Sequence, residues 1–274
     1  MRLFFLLSLL AGGGLQASPI LYTLQADDWG TPRQLVSIDA SGGGPLSVAT
    51  LGDGSLAFNG GLVYRSDTGR FYAVANDGTF TSSTLYSFGL DGNLTVEKIL
   101  GDNFFGGLAW DGSVFYVFGG DVSDQTLYAY DPGADTVAPI GSTGAGFVGG
   151  LAWDGIGGVL YGISLAPFGD SYLNQIDPST GQATPLFLLG SGFLGGIAVH
   201  GSDLYSIADP GSSHLYRFGP GGPAVQLQNL GEGFYSAGLA IGASGPSAVP
   251  EPSASLLIGS GLIGLAFVGR RRTR

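Results

Sequence analysis

Between residues 20 and 241 the apolar positions fall in short runs cut by Gly, Pro, Asp and Ser, with no helical spacing in them. The runs return in a fixed order. One reads Leu21-Tyr-Thr-Leu, Phe71-Tyr-Ala-Val, Phe115-Tyr-Val-Phe, Leu160-Tyr-Gly-Ile and Leu204-Tyr-Ser-Ile. The next reads Gln34-Leu-Val-Ser-Ile-Asp39, Thr84-Leu-Tyr-Ser-Phe88, Thr126-Leu-Tyr-Ala-Tyr-Asp131, Tyr172-Leu-Asn-Gln-Ile-Asp177 and His214-Leu-Tyr-Arg-Phe218, and each meets a turn such as Asp91-Gly-Asn93 or Pro178-Ser-Thr-Gly181. A final run, for example Val96 to Leu100 or Val225 to Leu230, ends at a Gly.

A seven-residue phrase precedes each set: Phe58-Asn-Gly-Gly-Leu-Val-Tyr64, Phe104-Phe-Gly-Gly-Leu-Ala-Trp110, Phe147-Val-Gly-Gly-Leu-Ala-Trp153, Phe193-Leu-Gly-Gly-Ile-Ala-Val199 and Tyr235-Ser-Ala-Gly-Leu-Ala-Ile241. The starts are 46, 43, 46 and 42 residues apart. That period suits a four-stranded propeller blade or a two-helix solenoid repeat, and four β-type runs per repeat decide for the propeller. The stretch from Ile20 to Leu51 lacks the phrase, while Tyr235 to Ile241 supplies the phrase alone. Joined, they complete a blade, which predicts an all-β, five-bladed propeller closed by amino- and carboxy-terminal strands and so free of exposed ring edges. The glycines of the phrase fit innermost strands crowded about an axis.

Composition sharpens this picture. Glycine makes up 51 of 274 residues without a collagen-like period, so it marks turns and inner strands. The chain has no cysteine, which excludes disulfides, thiolate zinc sites and cysteine nucleophiles. From Ser18 to Ala248 there are 20 Asp and Glu against five basic residues (Arg33, Arg65, Arg70, Lys98, Arg217), a net charge of −15. Such a domain repels nucleic acid and anionic membrane surfaces.

The two ends are of another kind. Met1-Arg2 and the apolar Leu3 to Ala11, followed by Leu15-Gln-Ala17, predict a signal peptide over 1–17 removed before Ser18. The propeller is expected over 18–244, a linker over 245–252, an apolar helix over 253–269 and a basic cytoplasmic end over 270–274. Pro250-Glu251-Pro252, the apolar stretch and Arg270, Arg271 and Arg272, in that order on an exported chain, resemble the PEP-CTERM sorting signal of Gram-negative bacteria. The resemblance implies a precursor held in the inner membrane by its helix, recognised by an exosortase near Pro250-Glu251-Pro252, and delivered to the cell envelope or extracellular matrix. The Leu-Tyr and Ile176-Asp-Pro-Ser-Thr-Gly181 phrases also resemble extracellular propellers in general.

Catalytic motifs are sparse. His200 and His214 have no metal-ligand spacing, no Gly-x-Ser-x-Gly elbow joins a strand to a helix, and the Gly-rich segments lack the Lys and helix of a phosphate loop. No catalytic or cofactor-binding residue is therefore expected. The loops between second and third strands carry Asp27, Asp28, Asp77, Asp121, Asp124, Asp170 and Asp209. Asp28, Asp77, Asp121, Asp170 and Asp209, one per blade, are candidates for a carboxylate ring that holds Ca²⁺ or sugar hydroxyls, against the alternative of turn-forming, solubilising charges. Trp29, which no repeat position demands, is a candidate ligand platform, whereas Trp110 and Trp153 occupy a repeat slot and read as inter-blade core. The chain reads as an exported, non-enzymatic binding or structural propeller, with extracellular polysaccharide or a cation as ligand. The alternative is a glycoside hydrolase or lyase using paired channel carboxylates.

Overall fold

The computed structural model describes residues 18–25, 31–77, 81–102, 106–121, 124–165, 169–193, 195–208, 212–234 and 238–242. Among these residues twenty strands form five antiparallel four-stranded sheets. The first blade joins β1 (Ile20–Gln25), β2 (Arg33–Asp39) and β3 (Pro45–Leu51) to the last strand, β20 (Leu239–Ile241). The second runs β4 (Ala57–Arg65), β5 (Arg70–Asn76), β6 (Ser83–Phe88) and β7 (Thr95–Gly101). The third holds β8 (Gly106–Trp110), β9 (Phe115–Asp121), β10 (Asp124–Asp131) and β11 (Thr136–Ser142), and the fourth β12 (Phe147–Asp154), β13 (Val159–Leu165), β14 (Asp170–Ile176) and β15 (Ala183–Ser191). The fifth holds β16 (Ile197–His200), β17 (Asp203–Ala208), β18 (Ser213–Phe218) and β19 (Val225–Gly231).

The five-bladed ring and its composite blade are as the repeat predicts. β20 pairs with β1 through Leu21 with Ile241, Tyr22 with Ala240 and Thr23 with Leu239. The Thr23 hydroxyl adds a buried bond of 2.7 Å to the Gly238 carbonyl. Ser206 occupies the same slot in the fifth blade and donates to Gly196 O at 3.0 Å.

The core is divided among the seams. Five apolar clusters each join the residues of two adjacent blades. Second strands are covered on both faces, which explains their continuous apolar runs: Phe71 to Asn76 are all buried. Fully burying one Phe or Leu contributes roughly 1.5–3 kcal/mol, so each seam is a cohesive layer in its own right.

At the hub the phrase glycines permit an approach that no side chain would allow. A Cβ on Gly61 would stand 2.8 Å from Leu108 Cβ, and one on Gly238 would stand 2.5 Å from Leu62 Cβ. A Cβ on Gly196 would stand 2.1 Å from Leu239 N. The phrase also slips out of ladder register here, between Phe58 and Leu62 and between Phe147 and Leu151, as an irregularity that bends the strand. β4 and β12, two blades apart, touch across the axis. Outer strands carry Pro45, Pro139 and Pro185, which blunt the exposed sheet edges.

The expected signal peptide (1–17), linker (245–252), apolar helix (253–269) and basic end (270–274) lie outside the described residues. Among the described residues no helix is long and apolar enough to cross a membrane.

Candidate binding site at the hub

The last three positions of the phrase build a cavity of about 160 Å³ on the ring axis. Every blade contributes, from Leu62-Val63-Tyr64 on β4 to Leu239-Ala240-Ile241 on β20. The cavity therefore lies where inner strands turn into second strands. The fifth and sixth positions, Leu108 and Ala109 for instance, are buried apart from the half-buried Val63, while Tyr64, Trp110, Trp153, Val199 and Ile241 are half-buried at the mouth. Aromatic rings thus occupy three consecutive blades and aliphatic groups the other two.

Polar residues of unlike chemistry stand immediately beyond: Arg65, Asp111, Asp154 and His200 follow the phrase in blades two to five. The Arg65 guanidinium lies 3.9 Å above the Trp110 ring centroid. Asp67 fixes it with two bonds, Nη2 to Oδ2 at 2.6 Å and Nε to Oδ1 at 3.1 Å. This hydrogen-bonded pairing raises the Arg65 pKa and lowers that of Asp67. Trp110 also packs on Phe115 at 4.5 Å, and Trp153 stacks on Tyr116 of the neighbouring blade at 6.1 Å. Trp153 therefore does the inter-blade packing expected of the repeat slot, Trp110 meets the neighbouring blade through Arg65, and both rings stay half-buried.

Asp111 is committed to its own turn. Its Oδ1 accepts bonds from the Ser113 and Val114 amides and the Ser113 hydroxyl, and its Oδ2 accepts from the Tyr116 hydroxyl at 3.0 Å. Burial pushes the carboxyl upward, but these donors together bring it below its ordinary value. Burial, with the Asp111 bond and charge added, pushes the Tyr116 phenol up to about 12. Asp154 engages one oxygen with the Ile156 amide at 2.9 Å.

A second cavity of about 400 Å³ opens over the seam of blades four and five, lined by Asp154, Ile156, Tyr161, Val199, Leu204 and Pro220 among others. Val199 lines both spaces, so hub and groove adjoin. Ile156 at the groove edge is 85% exposed.

Of the sequence candidates, Asp77 and Asp170 fall elsewhere. Loops between second and third strands lie at the opposite end of the inner strands, beside Ala57 where β4 begins, because Asn76 at the end of β5 pairs with Ala57. Asp77 in that loop accepts bonds from the Thr81 amide and hydroxyl, as a turn-forming residue does. Asp170 opens β14 and is exposed. Asp121 pairs with Asp124 on the backbone, and their side chains, with Asp28, Asp209 and Trp29, lie outside the described residues. Among the described residues no three His, Asp or Glu side chains converge on a metal-sized space. His214 Nδ1 is 2.5 Å from Ser212 O, a local loop contact. Arg65 entered the sequence reading only as a count of charge. Its signal was positional, since it follows the phrase where Asp111, Asp154 and His200 also stand.

Residues 248–272 match the PEP-CTERM protein-sorting motif, a match that includes Pro250, Glu251, Pro252 and Arg270 to Arg272. The chain carries a PEP-CTERM sorting signal. The motif marks an exported protein whose membrane-anchored precursor is processed by an exosortase. Comparison with curated proteins gives no match. Among solved structures, TolB from Acinetobacter baumannii aligns with a TM-score of 0.52 at 14% identity, over 77% of this chain and 53% of that one. A chain of a nidogen/laminin complex aligns with a TM-score of 0.53 at 14% identity, over 78% and 80%. This PEP-CTERM protein thus spans about half the length of the TolB chain, and the likeness concerns fold alone.

Proposed function

We propose that this PEP-CTERM protein is a non-catalytic binding propeller of the Gram-negative cell envelope or matrix, whose ligand is extracellular polysaccharide. The observation that carries the proposal is that Val199 lines both the hub cavity and the seam groove. The hub alone, at about 160 Å³, has room for one sugar residue, whereas hub and groove together suit an extended chain of several. In this reading Trp153 and Tyr64, half-buried at the mouth, are the rings that a pyranose would meet, and Asp154 in the groove is the carboxylate that would meet its hydroxyls.

A binding role is favoured over hydrolysis because acid/base cleavage needs two carboxyl groups roughly 5–10 Å apart. The residues lining the hub and the groove include one carboxylate, Asp154, and so do not supply such a pair. A glycan array probed with the purified exported domain, with and without Ca²⁺, tests the reading. Binding to a polysaccharide series is expected, and Trp153→Ala should weaken it about 3- to 10-fold, the value of one aromatic contact. Silence on every glycan in both conditions overturns it.

A further inference from the structure

We infer that the amino terminus created at Ser18 is itself a structural element, its ammonium group seated against Asp203 in the seam between the fifth and first blades. A polar pocket of about 240 Å³ lies in that seam, lined by Ser18 and Pro19 from one side and by His200, Asp203, Tyr205 and Arg217 from the other. Pro19 is buried and its carbonyl accepts the Ala40 amide at 3.2 Å, while Ser18 is exposed. The fold therefore fixes the chain up to the residue at which the sequence places leader cleavage.

Hydrolysis of the Ala17–Ser18 amide adds one water across the bond: the new carboxylate departs with the leader, and an ammonium group remains on Ser18. Asp203 is the carboxylate in the pocket. Its present cationic neighbour is held loosely, with Arg217 Nη1 at 3.8 Å and both side chains about half exposed. A second cation from Ser18 complements it, in a domain otherwise dominated by negative charge. The location matters, because Ile20 opens β1, the strand on which β20 closes the ring.

The inference rests on Ser18 being the first residue of the exported protein, which mass spectrometry of that protein tests first; any other start overturns it. Proteins beginning at Ser18 are then compared with a selectively acetylated form and with a form carrying one additional Gly, which shifts the ammonium by about 3.8 Å. Both changes should lower the thermal midpoint by about 2–4 °C, leave Asp203→Asn unaffected, and act again on Asp203→Glu. Equal shifts in the parent and Asp203→Asn, or no shift in the parent, refute the inference. If Asp203→Asn does not fold, the acetylation effect in the parent must vanish in about 1 M NaCl, and its persistence there is refuting.

Discussion

Replacing Gly196 by Ala tests the hub most directly, because the new methyl meets backbone and no rotamer can relieve it. Its Cβ would lie 2.1 Å from Leu239 N and 2.5 Å from Gly238 C, where ordinary contact begins at 3.4 Å. β16 and β20 must then part by about 1.3 Å (3.4 less 2.1). β20 is held to β1 by three residue pairs, the Thr23 bond and the Gly242 N to Ile20 O bond, so this movement falls on the shortest ladder among the described residues. Overpacking typically costs about 1–3 kcal/mol, and a backbone-to-backbone clash belongs at the upper end. About 3 kcal/mol corresponds to a fall of about 6–12 °C in midpoint for a domain of this size. Gly155→Ala is the matched control, with nothing within 4 Å of the added carbon and no left-handed φ, and it should stay within about 0.5 kcal/mol of the parent. Urea unfolding followed by tryptophan fluorescence and near-ultraviolet circular dichroism gives both values. If Gly196→Ala lies within 0.5 kcal/mol of Gly155→Ala, the close approach of inner strands is not what excludes side chains from the phrase.

Other outcomes follow from the same geometry. Thr23→Val keeps shape but removes the donor to Gly238 O, and should cost about 1–2 kcal/mol in urea unfolding. Asp111 is held below its ordinary pKa, so its stabilisation is complete above the unfolded value of about 3.9 and fades as pH falls through the folded one. The stability gap between the parent and Asp111→Asn should therefore narrow below about pH 4 in acid titrations. Tyr116, raised to about 12, contributes stability that is present below pH 10 and lost as pH rises toward 12. Tyr116→Phe should lose less stability than the parent across that alkaline window. Arg65→Met should remove both the Asp67 pair and the cover over Trp110, shifting tryptophan emission and costing about 1 kcal/mol.

The architecture was legible because each seam repeats the same demand. A second strand sandwiched between blades must be apolar on both faces, and an inner strand beside two others must be small, so Phe71 to Asn76 and Gly61 carry their positions openly. The site was less legible, since an aspartate that ends a strand looks the same whether it binds a ligand or its own turn. Asp39, Asp131 and Asp177 all prove to be turn residues, accepting amides two residues on. Position along the phrase was the informative variable. The seventh and eighth places bring Tyr64, Trp153, Arg65 and Asp154 to one mouth, which a search by residue type for carboxylates alone passes over.

Ser18 and Gly242 end the described ring side by side on the face where the hub opens, since Gly242 N donates to Ile20 O. A fluorescent group joined directly to Ser18 or Gly242 would consequently crowd the mouth that an assay is meant to probe. Because Ser18 and Gly242 lie this close, a circular permutant of residues 18–242, rejoined there and cut between Asp77 and Thr81, would carry its handle on the far side and leave the mouth clear.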